Sequence, residues 1–528
     1  MKIIVADPIS EQGLALLRGK GWEVLTPGKN ELAAAIADAD ALIVRSATRV
    51  TSELLEGAKQ LRVVGRAGVG VDNVDLAAAT QRGVLVMNTP GGNAVSVAEH
   101  ALALMMSLAR RIPQLSAAIH AGRWEKSGGT GTELRGKTLG LLGFGRVGHE
   151  VAQRARALEM HVIAHDPYVS EAAALDAGVK LLRLDDILVQ SDYISLHLAL
   201  SPATAKIINA VSLAKCKRGA SLINTARGEL VDETALAEAL RSGQLAGAAL
   251  DVFAVEPPKD SPLIGLSNVI GTPHVAGSTH EAQEEVGTLI AQQVRDYLAE
   301  GVLRNSVNLP SLSGEQYRRI KPWIEAAERL GAFVAQVAEG RFERVDLAFA
   351  GEPAELGTAV LRNAVLAGLL NAVLDEKVNL VNAGPFAAAR GFVVEERMRR
   401  REQGYPNTIE VAVRPAHGPQ RTAAEATVLN RVSPRILSVD GVGLEAPLAG
   451  TMVFFRNRDV PGVIGQVGTA LGARGMNIST FALGRRSAQP ASDAMGLVRL
   501  DGEVPDSILE PIRKIEAMSD ARIVRLPD

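Results

Sequence analysis

Three short segments of this 528-residue chain each carry a residue type that acid–base chemistry uses. INTARGELVDE contains Arg227, ALDVFAVEPP contains Asp251 and Glu256, and IGTPHVAGST contains His274. Each begins in or follows an apolar run that reads as a buried parallel strand. Open α/β sheets bind ligands at the carboxyl ends of such strands. A cation, a carboxylate and an imidazole are therefore expected near one crevice. Imidazole titrates near neutral pH and can take a hydroxyl proton as a hydride leaves the same carbon, which suits His274. A carboxylate on the other ring nitrogen, Glu256, fixes the tautomer and favours the imidazolium. A guanidinium, Arg227, holds a substrate carboxylate in a fork and polarises a carbonyl oxygen better than lysine does. Taken singly, each residue has an ordinary alternative: a loop histidine, a turn carboxylate and a helix-capping arginine.

Hydride chemistry needs an acceptor, and Thr138 to Pro167 (TLGLLGFGRVGHEVAQRARALEMHVIAHDP) reads as its binding unit. An apolar strand, Thr138 to Leu142, runs into Gly143, Gly145 and Gly148, spaced G-x-G-x-x-G. A helical pattern from Val147 to Leu158 follows, then a second strand, His161 to His165, closed by Asp166. Gly143 permits the tight turn, Gly145 lets the backbone approach a pyrophosphate, and Gly148 lets helix and strand pack closely. The helix N-terminus offers N–H groups and partial positive charge. Asp166 is placed to accept from ribose hydroxyls and would repel a 2′-phosphate, which favours NAD over NADP.

Around this unit the chain alternates strands and helices. Lys2–Ala6, Ala41–Arg45, Arg62–Arg66 and Val84–Met87 read as strands, with helices at Ser10–Gly19 and Ser52–Ala58. Ser96 to Arg123 is helical, with a break or kink predicted at Pro113. Further strands are predicted at Tyr193–His197, Ser221–Asn224, Ala248–Val252 and Val269–Thr272. A helix at Glu281–Glu300 can return the chain to the first unit, and Leu303–Leu312 reads as a linker. Residues 315–450 carry Gly and Pro breaks without a catalytic cluster. Residues 452–528 give the order βαββαβ, a ferredoxin-like pattern. The composition is globular, with 47% hydrophobic and 22% charged residues. A net charge of −2 gives no footprint for nucleic acid or an anionic membrane. No apolar run is long enough to span a bilayer, and no metal site is evident. The single cysteine, Cys216, excludes an internal disulfide and reads as a packed residue of a cytoplasmic protein.

GFGRVG, NTARGELVD, DVFAVEPP and TPHVAGST resemble the signature segments of the D-isomer-specific 2-hydroxyacid dehydrogenases. RSATRVT, GRAGVGVDNVD, NTPGGNAVSVAEH and the C-terminal βαββαβ unit resemble its long members, which oxidise D-3-phosphoglycerate with NAD. The resemblance covers essentially the whole chain. It implies an α/β fold of two doubly wound Rossmann-like domains, then an α+β intervening domain and a ferredoxin-like ACT domain. The implied boundaries are 1–97 with 287–312 for substrate, 98–286 for NAD, 315–450 for the intervening domain and 452–528 for the ACT domain. The family's Arg, Glu and His triad falls on Arg227, Glu256 and His274.

The same resemblance implies finer roles. Arg146 and Val147 would offer backbone N–H groups to pyrophosphate. Leu198, Thr225, Ala226, Ala276 and Gly277 would line the cofactor, and Asp251 would bond its carboxamide. Arg45 and Arg66 would meet the phosphate side of 3-phosphoglycerate. Asn93 would hold the carboxylate end, and Lys126 would reach a neighbouring subunit's phosphate site. Trp124 reads as an interface or core anchor. In the ACT domain Asn457, Asp459 and Asn477 would bind L-serine as an end-product effector at a pair interface, and a homotetramer is expected. The rival readings are a glyoxylate or hydroxypyruvate reductase of the same family and a non-catalytic NAD(H)-responsive binding protein.

Overall fold

A computed structural model of the chain describes residues 1–338, 342–374, 376–400, 404–415, 421–487, 489 and 492–526. The first sheet is formed by β1 (Lys2–Val5), β2 (Glu23–Leu25), β3 (Ala41–Val44), β4 (Val63–Arg66) and β5 (Leu85–Met87). All are parallel, in the order β2-β1-β3-β4-β5. Their short apolar runs suit strands covered by helices on both faces. Ser10 caps the helix Glu11–Arg18, accepting from Gly13 N at 3.1 Å. The helix His280–Glu300 packs against this unit so closely that a Cβ on Gly13 would lie 2.7 Å from Gly287 O. A Cβ on Gly65 would likewise lie 2.8 Å from Ile290 and Val294. A helix that follows the second sheet in sequence thus covers the first.

The predicted helical stretch after Ser96 is two helices, Ala94–Arg110 and Ile112–His120. They part at Arg111, whose φ is 54°. The break falls two residues before Pro113, because proline is tolerated in a first helical turn, where its missing N–H has no partner to lose.

The second sheet contains β6 (Thr138–Leu142), β7 (His161–His165), β8 (Lys180–Leu181), β9 (Tyr193–Leu196), β10 (Ala220–Asn224), β11 (Leu245–Leu250) and β12 (Val269–Gly271). Its order, β8-β7-β6-β9-β10-β11-β12, reverses direction between β6 and β9, where doubly wound sheets open a crevice. Leu142 pairs with His165 and Leu196, Leu196 with Asn224, Asn224 with Leu250, and Leu250 with Gly271. This register sends Gly143, Asp166, His197, Thr225, Asp251 and Thr272 off the same edge of the sheet.

The segment 303–312 contains no helix or strand, as a linker should, but it is pinned. Asn308 donates to Val84 O and accepts from Val86 N, stitching it to β5. Beyond it, helices Gly314–Val337 and Thr358–Asn371 pack on a six-stranded sheet. Its strands are β13 (Phe342–Ala350), β14 (Val393–Arg399), β15 (Thr408–Pro415), β16 (Thr422–Leu429), β17 (Ser433–Val439) and β18 (Val442–Pro447), in the order β14-β13-β15-β16-β17-β18. Last come β19 (Thr451–Arg458), β20 (Ile478–Arg485), β21 (Asp493–Leu500) and β22 (Met518–Arg525). They form an antiparallel sheet, β20-β21-β19-β22, with helices Val463–Gly472 and Leu509–Arg513 in the predicted order. Phe333 and Phe454 meet edge to face, joining the cores of the last two units. Among the described residues, no helix is long and apolar enough to cross a membrane, and no cluster of His, Cys, Asp and Glu is placed to hold a metal.

Candidate active site

His274 and Glu256 meet as the residue types suggest. His274 Nδ1 lies 2.9 Å from Glu256 Oε2, and the other carboxylate oxygen accepts from Phe253 N at 3.2 Å. The pair is partly open to solvent, with side-chain exposures of 50% and 39%, so His274 Nε2 is accessible to a ligand. The His274 backbone is left-handed, at φ 53°. Its N–H donates to Asp251 O at 2.8 Å, which holds it in that uncommon region.

Arg227 sits at the end of β10, and Asn224 shapes its turn by accepting from Ala226 N and donating to Arg227 O. A Cβ on Gly228 would strike the Phe253 carbonyl, so the Arg227 turn is pressed against the segment that carries Glu256. The guanidinium crosses to the first unit, 3.0 Å from Asp72 Oδ2. Arg66 stands close by. Burial lowers its affinity for a proton, Arg227 and Arg45 lower it further, and Asp72 and Asp7 oppose the fall. Its Nε is buried and has no partner among the described residues. Arg45, Arg66 and Arg227 therefore form one cationic group. Asp7 fixes the Arg45 backbone by accepting its N–H at 2.6 Å. Asn93 faces the histidine loop, since a Cβ on Gly277 would lie 2.6 Å from Asn93 Nδ2.

The residues at the crevice fit a dinucleotide. A Cβ on Gly143 would lie 2.6 Å from His197 O and 3.0 Å from Leu198 N, at φ 98°, which only glycine adopts without strain. A Cβ on Gly148 would strike Gly143 O, whereas Gly145 faces open space. No side chain caps the helix Arg146–Ala157, so the first-turn N–H groups of Arg146 and Val147 are free of side-chain acceptors. Asp166 ends β7 and accepts from Phe144 N and Tyr168 N, which orients its carboxylate beside the glycine turn. The hydroxyl of Thr225, just past the end of β10, is buried and has no partner among the described residues. The Arg146 side chain reaches the first unit and donates to Pro90 O.

Asp251, expected beside the cofactor, also has partners inside the chain. It is fully buried. Thr272 Oγ1 (2.5 Å), Val275 N (2.9 Å) and Ala276 N (2.8 Å) all donate to its carboxylate. Burial alone would raise its pKa, but hydrogen bonds from His100, Thr272, Val275 and Ala276 outweigh burial and hold it below the usual value. As placed, Asp251 holds the loop that carries His274.

Of the interface-or-core reading of Trp124, the core half does not hold, since it is 84% exposed. Lys126 lies beside it on the surface, and among the described residues no hydrogen bond or ion pair joins it to the cleft. In the last unit, Asn457 and Arg485 both pair with Ala494, at one end of the sheet. Asn477 precedes Ile478, which pairs with Leu500 at the other end, and it donates to Asp501. Asp459 is engaged by Arg485 at 3.1 Å. Within one chain, Asn477 therefore does not join Asn457 and Asp459. Asn457 Oδ1 is buried and has no partner among the described residues.

The sequence reading passed over His100, whose Nε2 lies 3.0 Å from Thr272 Oγ1 and 3.4 Å from Asp251 Oδ1. It also missed the 2.7 Å contact of Ser96 Oγ with Thr279 Oγ1. A signal was present. Asn93, Ser96 and His100 are spaced i, i+3 and i+7, a polar stripe on an otherwise apolar helix.

Comparison with known proteins agrees with this architecture. Residues 102–276 match the D-isomer specific 2-hydroxyacid dehydrogenase NAD binding domain, 319–440 the D-3-phosphoglycerate dehydrogenase intervening domain, and 451–517 the ACT domain. The chain is 40% identical over 529 residues to D-3-phosphoglycerate dehydrogenase of Methanocaldococcus jannaschii, covering all of both chains. It is 37% identical over 528 residues to the enzyme of that name from Bacillus subtilis, again over both full lengths. Among solved structures, the TT0316 protein of Thermus thermophilus is 37% identical, with a TM-score of 0.52 over 57% of this chain and 97% of that one. A glyoxylate reductase from Paecilomyes thermophila is 31% identical, with a TM-score of 0.52 over 58% of this chain and 98% of that one.

Proposed function

Because the chain belongs to the D-isomer specific 2-hydroxyacid dehydrogenases, in the branch of the D-3-phosphoglycerate dehydrogenases, we propose that its cleft oxidises D-3-phosphoglycerate to 3-phosphohydroxypyruvate. The protein is an NAD-dependent oxidoreductase, and this reaction opens phosphorylated L-serine synthesis. The observation that carries the reading is the Glu256–His274 pair, 2.9 Å apart and open to solvent, on a segment packed against the Arg227 turn. Glu256 keeps Nδ1 as the protonated nitrogen, so Nε2 is the base. The C2 hydroxyl proton passes to His274 Nε2 while the hydride leaves C2 and the C–O bond becomes a carbonyl. Bound in the cradle named below, NAD⁺ would supply the hydride acceptor. Arg227 holds the carboxylate and polarises the forming carbonyl, and Arg45 and Arg66 meet the phosphate. Asn93 supports the carboxylate end. Gly143, Gly145, Gly148, the Arg146 and Val147 amides, Asp166, Leu198, Thr225, Ala226, Ala276 and Gly277 form the NAD cradle.

We read the ACT unit as a serine sensor built across two chains. Asn457 and Asp459 of one chain would face Asn477 of another, which accounts for their separation within a single sheet. Exposed Ile112, Ile119 and Trp124 offer a second apolar contact. Two different twofold contacts generate a homotetramer. Lys126, beside Trp124, would then reach the neighbour's cleft. The single buried cysteine supports a cytoplasmic setting.

NADH formation from D-3-phosphoglycerate, run beside unphosphorylated D-glycerate, tests the reading. Turnover restricted to the phosphorylated acid supports it. Preference for glycerate would favour the reductase alternative.

A further inference from the structure

We propose that His100 is a positioning residue for His274, acting through Thr272 and Asp251. The inference rests on His274 being the base. Thr272 has one hydroxyl proton, and at 2.5 Å from Asp251 Oδ1 that proton goes to the carboxylate. The lone pair left on Thr272 Oγ1 must then accept from His100 Nε2, 3.0 Å away. This assigns the proton of His100 to Nε2, where it also lies 3.4 Å from Asp251 Oδ1.

The arrangement fixes both ends of the base-bearing loop. The helix Ala94–Arg110 holds Thr272 through His100 and Thr279 through Ser96, with Asn93 against Gly277 between them. Asp251 gathers Val275 N and Ala276 N on its carboxylate and His274 N on its carbonyl. Its own N–H donates to Asn224 O, at the root of the Arg227 turn. His274 is the residue inside this frame with a left-handed backbone. Removing the His100 donor takes one hydrogen bond from Thr272 and leaves the fully buried Asp251 with one donor fewer. The loop then loses the restraint that aims Nε2, and small misplacements of a catalytic group cost large factors in rate.

The test uses the full-length enzyme with NAD⁺ and D-3-phosphoglycerate. His100→Leu fills the space without a donor, whereas His100→Gln keeps an N–H near the Nε2 position. His100→Leu should lower kcat by about 10–100-fold with the KM for NAD within about 2-fold, and His100→Gln should restore most of the rate. A second readout is independent of turnover. Amide hydrogen exchange at Val275 and Ala276 should quicken in His100→Leu and hold in His100→Gln. If His100→Leu does not fold, Thr272→Val breaks the same relay and should show the same pattern. Unchanged kcat in the folded donor-free variant, or equal losses in Leu and Gln with the loop amides still protected, would overturn the proposal. A wild-type enzyme that does not turn over phosphoglycerate would instead sink the functional reading, and the exchange measurement would still judge the loop.

Discussion

Arg227 Nη2 lies 3.0 Å from Asp72 Oδ2, so the guanidinium assigned to the substrate carboxylate is engaged by a carboxylate of the first unit. Asp72 is the more exposed partner, at 70% against 28%. The substrate carboxylate must compete with it for Arg227. Asp72→Asn is therefore expected to lower the KM for 3-phosphoglycerate by about 2–5-fold, the range of an exposed ion pair. The KM for NAD should not change, and added salt should shrink the gain. A raised KM would mean that Asp72 holds Arg227 in its productive pose.

Asp166 ends β7 with its carboxylate oriented by Phe144 N and Tyr168 N. Asp166→Ala should raise the KM for NAD by about 10-fold, as expected for a lost charge-assisted hydrogen bond. Discrimination against NADP should relax in the same variant. Steady-state kinetics with both cofactors check this, and unchanged values for both would remove the ribose role.

His197 closes β9 with Nε2 2.9 Å from Ser195 Oγ, and burial pushes its imidazole down to about 4. Its unfolded value is about 6.5, so the unfolded chain binds the proton more readily. The stabilising contribution is complete above about pH 6.5 and is lost as pH falls toward 4. His197→Gln should flatten the fall in unfolding free energy across that window. Parallel slopes in chemical denaturation would contradict this assignment.

Gly368 lies where the helix Thr358–Asn371 touches the helix Gly314–Val337, and a Cβ there would strike the Glu328 carbonyl. Gly368→Val should destabilise the chain by about 1–3 kcal/mol, as overpacked cores do. Denaturant titration reads the shift, and an unaltered midpoint would refute the close approach.

Much of the fold was legible because its signals are local. Apolar runs of four or five residues marked β1, β3, β4, β6, β7 and β9 to within a residue or two of their ends. The short edge strands Glu23–Leu25 and Lys180–Leu181 have no such run, and neighbouring strands define them. The pairing of Glu256 with His274 followed from strand ends in one sheet, where topology does the work. The internal role of Asp251 was not legible, because it depends on four donors from two distant segments. The separation of Asn457 from Asn477 depends on strand register, which a motif does not encode. The pinning of the linker by Asn308 was hidden because polar residues next to proline read as loop whether or not they find partners.

The central claim is that His274 takes the hydroxyl proton of D-3-phosphoglycerate. The most direct measurement is NADH formation from D-3-phosphoglycerate and NAD⁺ by the wild-type enzyme and His274→Ala, side by side, with circular dichroism on both. The account predicts wild-type turnover, a near-native spectrum for the variant and a kcat lowered by about 10²–10⁴-fold. A variant that turns over as fast as the wild type would contradict it.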